Sequence, residues 1–215
     1  ANLGIAQLEK MIASNSSDKI NEMVHLLRAD GIIIHINPLQ EAFQPEGDLL
    51  KRPPIETLQA FLESTSLRVI VKEVGQGMGP ESLRLLLGLP IQAIEFGALG
   101  GTNFTKLELA RQTDNIRNVY NLFGHIGHTA TQMTQMANDI AGNSDHIQCR
   151  ELIISGGITD VLDGWHLMKS STLPAVIGMG SAFLKHAMND YDTLKLYVEQ
   201  LQKSIALANA YLKIR

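Results

Sequence analysis

Gly31-Ile32-Ile33-Ile34-His35-Ile36-Asn37-Pro38-Leu39-Gln40-Glu41 decides how the rest of the chain is read. Its isoleucines form a near-continuous apolar run, as in a strand of a parallel sheet covered on both faces. Pro38 stops strand pairing, and Gln40 and Glu41 follow in the turn. Four more runs share this form: 68–72 ends in Glu73 and Gly75, 92–96 in Gly97, 151–155 in Gly156-Gly157, and 175–179 in Gly180. Ala1-Asn2-Leu3-Gly4 reads as the tail of a further strand, so the chain is expected to open within a domain.

Helical patterns separate these runs. Residues 18–29 place Ile20, Met23, Val24 and Leu27 on one face. Residues 55–62 and 80–87 look similar, and 105–141 is long enough for more than one helix. A C-terminal helix is expected over about 191–214, with Leu194, Val198, Leu201, Ile205, Ala208 and Leu212 on its buried face. Strand–helix alternation leaves an open doubly wound sheet or a closed barrel. In either, chemistry collects at the carboxyl ends of the strands, and the His, Gln, Glu and Lys punctuation falls there.

Composition narrows the partners. A net charge of −4, with no basic run, gives no pull toward nucleic acid or an anionic membrane. The apolar runs are too short to span a bilayer. The single cysteine, Cys149, rules out an internal disulfide, and with no leader segment in view the expected compartment is the reducing cytoplasm.

Three clusters can carry chemistry. Strand alternation puts His35 and Asn37 on one side, and Glu41 has the carboxylate that Mg²⁺ prefers alongside phosphate oxygens. The plain alternative is a polar loop with a hydrogen-bonded histidine. Lys72 closes a buried strand, which is costly unless an anion meets it; the alternative is an ion pair with Glu73 or with another strand's carboxylate. Gly97 to Phe104, Ser155-Gly156-Gly157-Ile158 and Gly178-Met179-Gly180-Ser181 are glycine turns whose N–H groups suit a phosphate. Thr102 and Asn103 add donors to the first of them, and plain tight turns are the alternative.

Other matches fail on spacing or context. Gly75-x-Gly77-x-Gly79 is not the dinucleotide fingerprint. His125-Ile126-Gly127-His128 spells a tRNA-synthetase signature, but no Rossmann strand precedes it, and as a metal pair it lacks a third ligand. Cys149 reads as a small buried residue, and Met133 and Met136 as helix core.

Taken in order, ANLG (1–4), IHINPLQEAFQPEGD (34–48), VKEVGQGM (71–78), GGTNF (100–104) and SGGI (155–158), with GMGSAFL (178–184) more loosely, resemble type 2 isopentenyl-diphosphate isomerase. The resemblance covers the chain from its start to residue 184. It implies a (β/α)8 TIM barrel, one domain over 1–215, lacking its first strands. It implies interconversion of isopentenyl and dimethylallyl diphosphate using FMN, NADPH as reductant and Mg²⁺, in a homo-oligomer. By position, Asn2, Lys72, Thr102, Gly156, Gly157, Ile158, Gly180 and Ser181 would contact FMN, and Glu41 would hold the metal. Gln40, His35 and Asn37 would form the catalytic, substrate-side group. Phe96 stands where many relatives have serine. Moving a double bond needs one proton added and another removed, with no net redox change. The competing readings are another FMN barrel, such as a 2-hydroxy-acid oxidase, for which no carboxylate-clamping arginine sits at a strand end, and a non-enzymatic binding module.

Overall fold

The computed structural model describes residues 1–44, 47, 49–144 and 146–214. Pro45, Glu46 and Asp48 of the quoted 34–48 segment lie outside them. Six strands form one sheet: β1 (Asn2–Gly4), β2 (Gly31–His35), β3 (Arg68–Lys72), β4 (Ala93–Glu95), β5 (Leu152–Ser155) and β6 (Ala175–Gly178). Each pairs in parallel with the next, so spatial order equals chain order. That order lacks the reversal of a doubly wound sheet. The sheet is not closed: among the described residues β1 and β6 are its two edges.

The register sorts side chains into two faces. Leu3, Ile34, Val71, Ile94 and Leu152 lie in one row. Ile34, Val71, Ile94 and Leu152, with Ile32, Val69 and Ile154, are buried in the main core. Leu8 of α1 (Ile5–Ala13), Leu58 and Phe61 of α4 (Pro54–Ser64), Leu83 and Leu87 of α5 (Pro80–Leu87) and Met133 of α8 (Ala130–Asn143) complete that core. The opposite face carries Ile33, Ile70 and Ile153, which are half-buried, and Val176, which is 58% exposed. A sheet whose rows are apolar on both faces is covered on only one here.

Sequence chemistry sets the helix ends. Proline occupies the first turn of α3 (Pro38–Phe43), α4 and α5, where its missing N–H costs nothing. Pro38 therefore starts a helix, and Gln40 and Glu41 sit on α3 rather than in a turn. Asn103 caps α6 (Phe104–Ala110), and Asp160 caps α9 (Val161–Ser170). Thr129 and Gln132 form a capping box on α8. The expected 105–141 gap holds α6, α7 (Asp114–Tyr120), a 3-10 turn (Asn121–His125) and α8. α2 (Asp18–Leu26) and α10 (Gly180–Ala187) complete the set before α11 (Tyr191–Tyr211). In α11 the expected stripe turns inward, but only Ala208 is buried; Leu194, Val198, Leu201 and Ile205 are half-covered, and Leu212 falls beyond the helix. Trp165 Nε1 donates to Asn209 Oδ1 at 3.0 Å, tying α9 to α11. No helix among the described residues is long and apolar enough to cross a membrane.

Candidate functional site

The carboxyl edge of the sheet gathers a polar row on the half-covered face. Gly4, His35, Lys72 and Glu95 are register partners across β1 to β4. Ser155, at the end of β5, joins them through a hydrogen bond from its Oγ to Glu95 Oε1 at 3.1 Å. Asn2, on the same face of β1, meets the row through His35: its Oδ1 lies 3.3 Å from Nδ1. An amide oxygen only accepts, so this contact places the proton on Nδ1 and leaves Nε2 as an acceptor. Burial holds the His35 pKa below its ordinary value, the Lys72 charge adds to this, and the Glu41 carboxylate opposes it. His35 is thus a neutral imidazole near pH 7.

Lys72 is half-buried, and its ammonium makes no hydrogen bond or ion pair among the described residues. Glu73, the nearest candidate partner in sequence, is committed elsewhere. Its Oε2 accepts from the backbone N–H of Gly75, Gln76 and Gly77 at 2.7, 2.6 and 2.8 Å. Burial nevertheless raises the Glu73 pKa, outweighing those backbone contacts. Glu95 is its register partner on β4, but no ion pair joins them among the described residues, and a strand-end cation not held in an ion pair is the arrangement that a bound anion would complete.

Asn37, Gln40 and Glu41 form a second knot. Asn37 Nδ2 donates to Gln40 Oε1 at 3.2 Å and to Glu41 Oε1 at 3.0 Å. Asn37 and Glu41 are both buried. Among the described residues no group of three metal-binding side chains comes together. Glu41 brings one buried carboxylate to this knot, with its Oε1 accepting from Asn37.

The glycine turns divide into two kinds. A Cβ on Gly156, at φ +92, would stand 2.2 Å from Ala98 O. This glycine is fixed by the nesting of the β5 turn on the β4 turn, so the plain structural reading explains it. Gly180, at the start of α10, has nothing within 4 Å of where an added methyl would stand, so the helix start is open on that side. Gly157, Thr102 and Ser181 are exposed around the same edge. The Ile158 side chain is buried, leaving only its backbone for a ligand. Phe96 is fully buried on the helix side of the sheet and does not face the polar row.

Several expectations resolve into structure. Asn103 Oδ1 accepts from Lys106 N and its Nδ2 donates to Gly124 O, so it is a helix cap, not a ligand donor. His125 lies near Lys106 Nζ at 3.4 Å. Burial pushes the Cys149 thiol up to about 11, away from the thiolate form that a nucleophile needs. Glu95 carries the row but was not among the sequence candidates, and Ser155 was read only as the start of a glycine turn; a carboxylate inside an apolar run was the signal available.

No family model matches the chain. It is 30% identical over 208 residues to an isopentenyl-diphosphate delta-isomerase of Ignicoccus hospitalis, covering 96% of this chain and 56% of that protein. It is 32% identical over 207 residues to the protein of that name from Synechocystis, covering 94% and 56%. With the Bacillus licheniformis protein of that name it is 36% identical over 169 residues, 78% of this chain and 45% of that protein. The chain thus spans about half the length of the curated relatives it matches.

Proposed function

We propose that this chain is part of a type 2, flavin-dependent isopentenyl-diphosphate isomerase, and that its six strands are an arc of a (β/α)8 barrel. The observation that carries the reading is the Lys72 ammonium, which has no ion pair among the described residues, in a polar row at the carboxyl edge. The names of the relatives, at about 30% identity over most of the chain, support the substrate. The sequential parallel order and the half-covered apolar face support the arc, because barrel interiors are filled by side chains from all strands.

The residues present fit an FMN. Lys72 would meet negative charge on the ring, with Asn2 and Thr102 as further polar contacts. The Gly156-Gly157-Ile158 backbone and Gly180 with Ser181 would hold the phosphate, the open space above Gly180 being the observation that fits. When bound and reduced by NADPH, the flavin supplies an acid/base function without net redox change. Glu41 would hold a Mg²⁺ that also takes diphosphate oxygens. His35, neutral and with Nε2 free to accept, would take a hydrogen bond from the substrate side. Asn37 orients Gln40, which would position the alkene, and the apolar walls would keep water from developing positive charge.

The reaction is tested anaerobically, with reduced flavin, Mg²⁺ and isopentenyl diphosphate. Appearance of dimethylallyl diphosphate in the protein carrying this chain is expected. Oxidation of a 2-hydroxy acid with no isomerisation would overturn the reading.

A further inference from the structure

Lys72 and Glu95 are register partners on β3 and β4, on one face of the sheet. Adjacent strands lie about 4.8 Å apart, so a lysine and a glutamate in this relation can ordinarily meet. Here they do not: neither charge enters an ion pair among the described residues. The cause lies on the next strand. The sheet order is β3, β4, β5, so β5 flanks β4 on the side away from Lys72. Glu95 is in register with Ile153, and Ser155 stands two residues nearer the carboxyl edge on the same face. Ser155 Oγ lies 3.1 Å from Glu95 Oε1, so the carboxylate leans diagonally toward β5 and away from Lys72.

The Ser155 hydroxyl is fixed at both ends. Gly97 N–H donates to its Oγ at 3.1 Å. An ionised carboxylate only accepts, so the single hydroxyl proton points to Glu95. Ser155 is buried, which limits competition from water for these bonds. A hydrogen bond to an ionised group is roughly twice as strong as a neutral one, whereas an ion pair near solvent is worth little. The serine therefore outcompetes the lysine for the carboxylate. Glu95 has no other side-chain partner among the described residues, so loss of the Ser155 hydroxyl frees it to turn to Lys72.

We propose that Ser155 is a positioning residue that holds the Glu95 carboxylate off Lys72 and so keeps the ammonium available to a bound anion. That the anion is the flavin rests on the function proposed above; the competition between Ser155 and Lys72 for Glu95 does not. In FMN titration followed by flavin fluorescence, Ser155→Ala is expected to bind about fivefold more weakly, because the freed Glu95 pairs with Lys72. Adding Glu95→Gln removes that competitor and is expected to restore the affinity of Glu95→Gln alone. A loss caused by distortion of the neighbouring Gly156 turn would not be rescued. Urea unfolding of the FMN-free protein supplies a readout that needs no flavin. The shifts in midpoint from Lys72→Met and Glu95→Gln are expected to add when Ser155 is present and to be non-additive in Ser155→Ala. Should circular dichroism show Ser155→Ala misfolded, Ser155→Cys, close in shape but a weaker donor, takes its place with the same outcomes expected. Absence of FMN binding in the wild-type protein would overturn the flavin reading alone, and the urea cycle then decides. Additive shifts in the Ser155 variant, undiminished FMN affinity in it, or a loss that Glu95→Gln does not rescue would each overturn the proposal.

Discussion

Replacing Gly156 and Gly180 by alanine, one at a time, separates a glycine needed for packing from one needed for a ligand. At Gly156 the backbone has φ +92, and the new methyl would meet Ala98 O at 2.2 Å and Ala98 N at 2.3 Å. Holding a side chain in that region costs about 1–3 kcal/mol. Relief of the clash requires the β4 turn to move, which weakens the bond from Ala98 N to Ser155 O at 2.9 Å, worth about 0.5–1.5 kcal/mol. Together these predict a loss of about 1.5–4.5 kcal/mol. At Gly180 the methyl meets nothing and φ is outside the left-handed region, so stability should hold or rise by up to about 1 kcal/mol. Its cost would instead fall on FMN, because the methyl occupies the open space beside the start of α10. Urea unfolding followed by circular dichroism gives the first quantity, and FMN titration the second. A Gly156→Ala protein with the wild-type urea midpoint would refute the packing argument. Unchanged FMN affinity in Gly180→Ala would refute the ligand assignment of that turn.

Other expectations follow from the same contacts. Glu73→Ala removes the acceptor for three N–H groups, but Gly75 N and Gly77 N also donate to Gly97 O, so only Gln76 N is orphaned. The loss should be about 1–3 kcal/mol in denaturant, and not three times that. The His35 pKa is lowered on folding, so its contribution is present above the unfolded value near 6.5 and is lost as pH falls below it. A His35→Gln protein should show a flatter fall in thermal midpoint from pH 7 to pH 5, and a slope equal to wild type would remove His35 as the cause. Asn103→Ala should cost about 1 kcal/mol as a lost helix cap, without changing FMN affinity; a large affinity change with intact stability would return it to the ligand set.

Much of this arrangement was legible in the residues. β-Branched runs located β2 to β6, with β3 at its expected bounds, because buried parallel strands leave little choice of side chain. Polar punctuation put His35, Lys72 and Gly156 at one edge for the same reason. What failed were signals with two meanings. Pro38 ends a strand and also starts a helix, and only the second use places Gln40 and Glu41 on α3. Asn103 suits a ligand or a cap, and the cap prevailed. Glycine reads as a break, which hides three helices: α1 follows Gly4 directly, α9 carries Gly164 in its interior, and α10 begins on Gly180. Glu95 became meaningful only through the β3–β4 register, which no single strand specifies.

The most direct measurement is FMN titration of the wild-type chain and of Lys72→Met, followed by flavin fluorescence. Saturable binding of one FMN per chain is predicted, weakened about 10- to 100-fold by loss of the charged hydrogen bond. No saturable binding, or equal affinity in both proteins, would contradict the account.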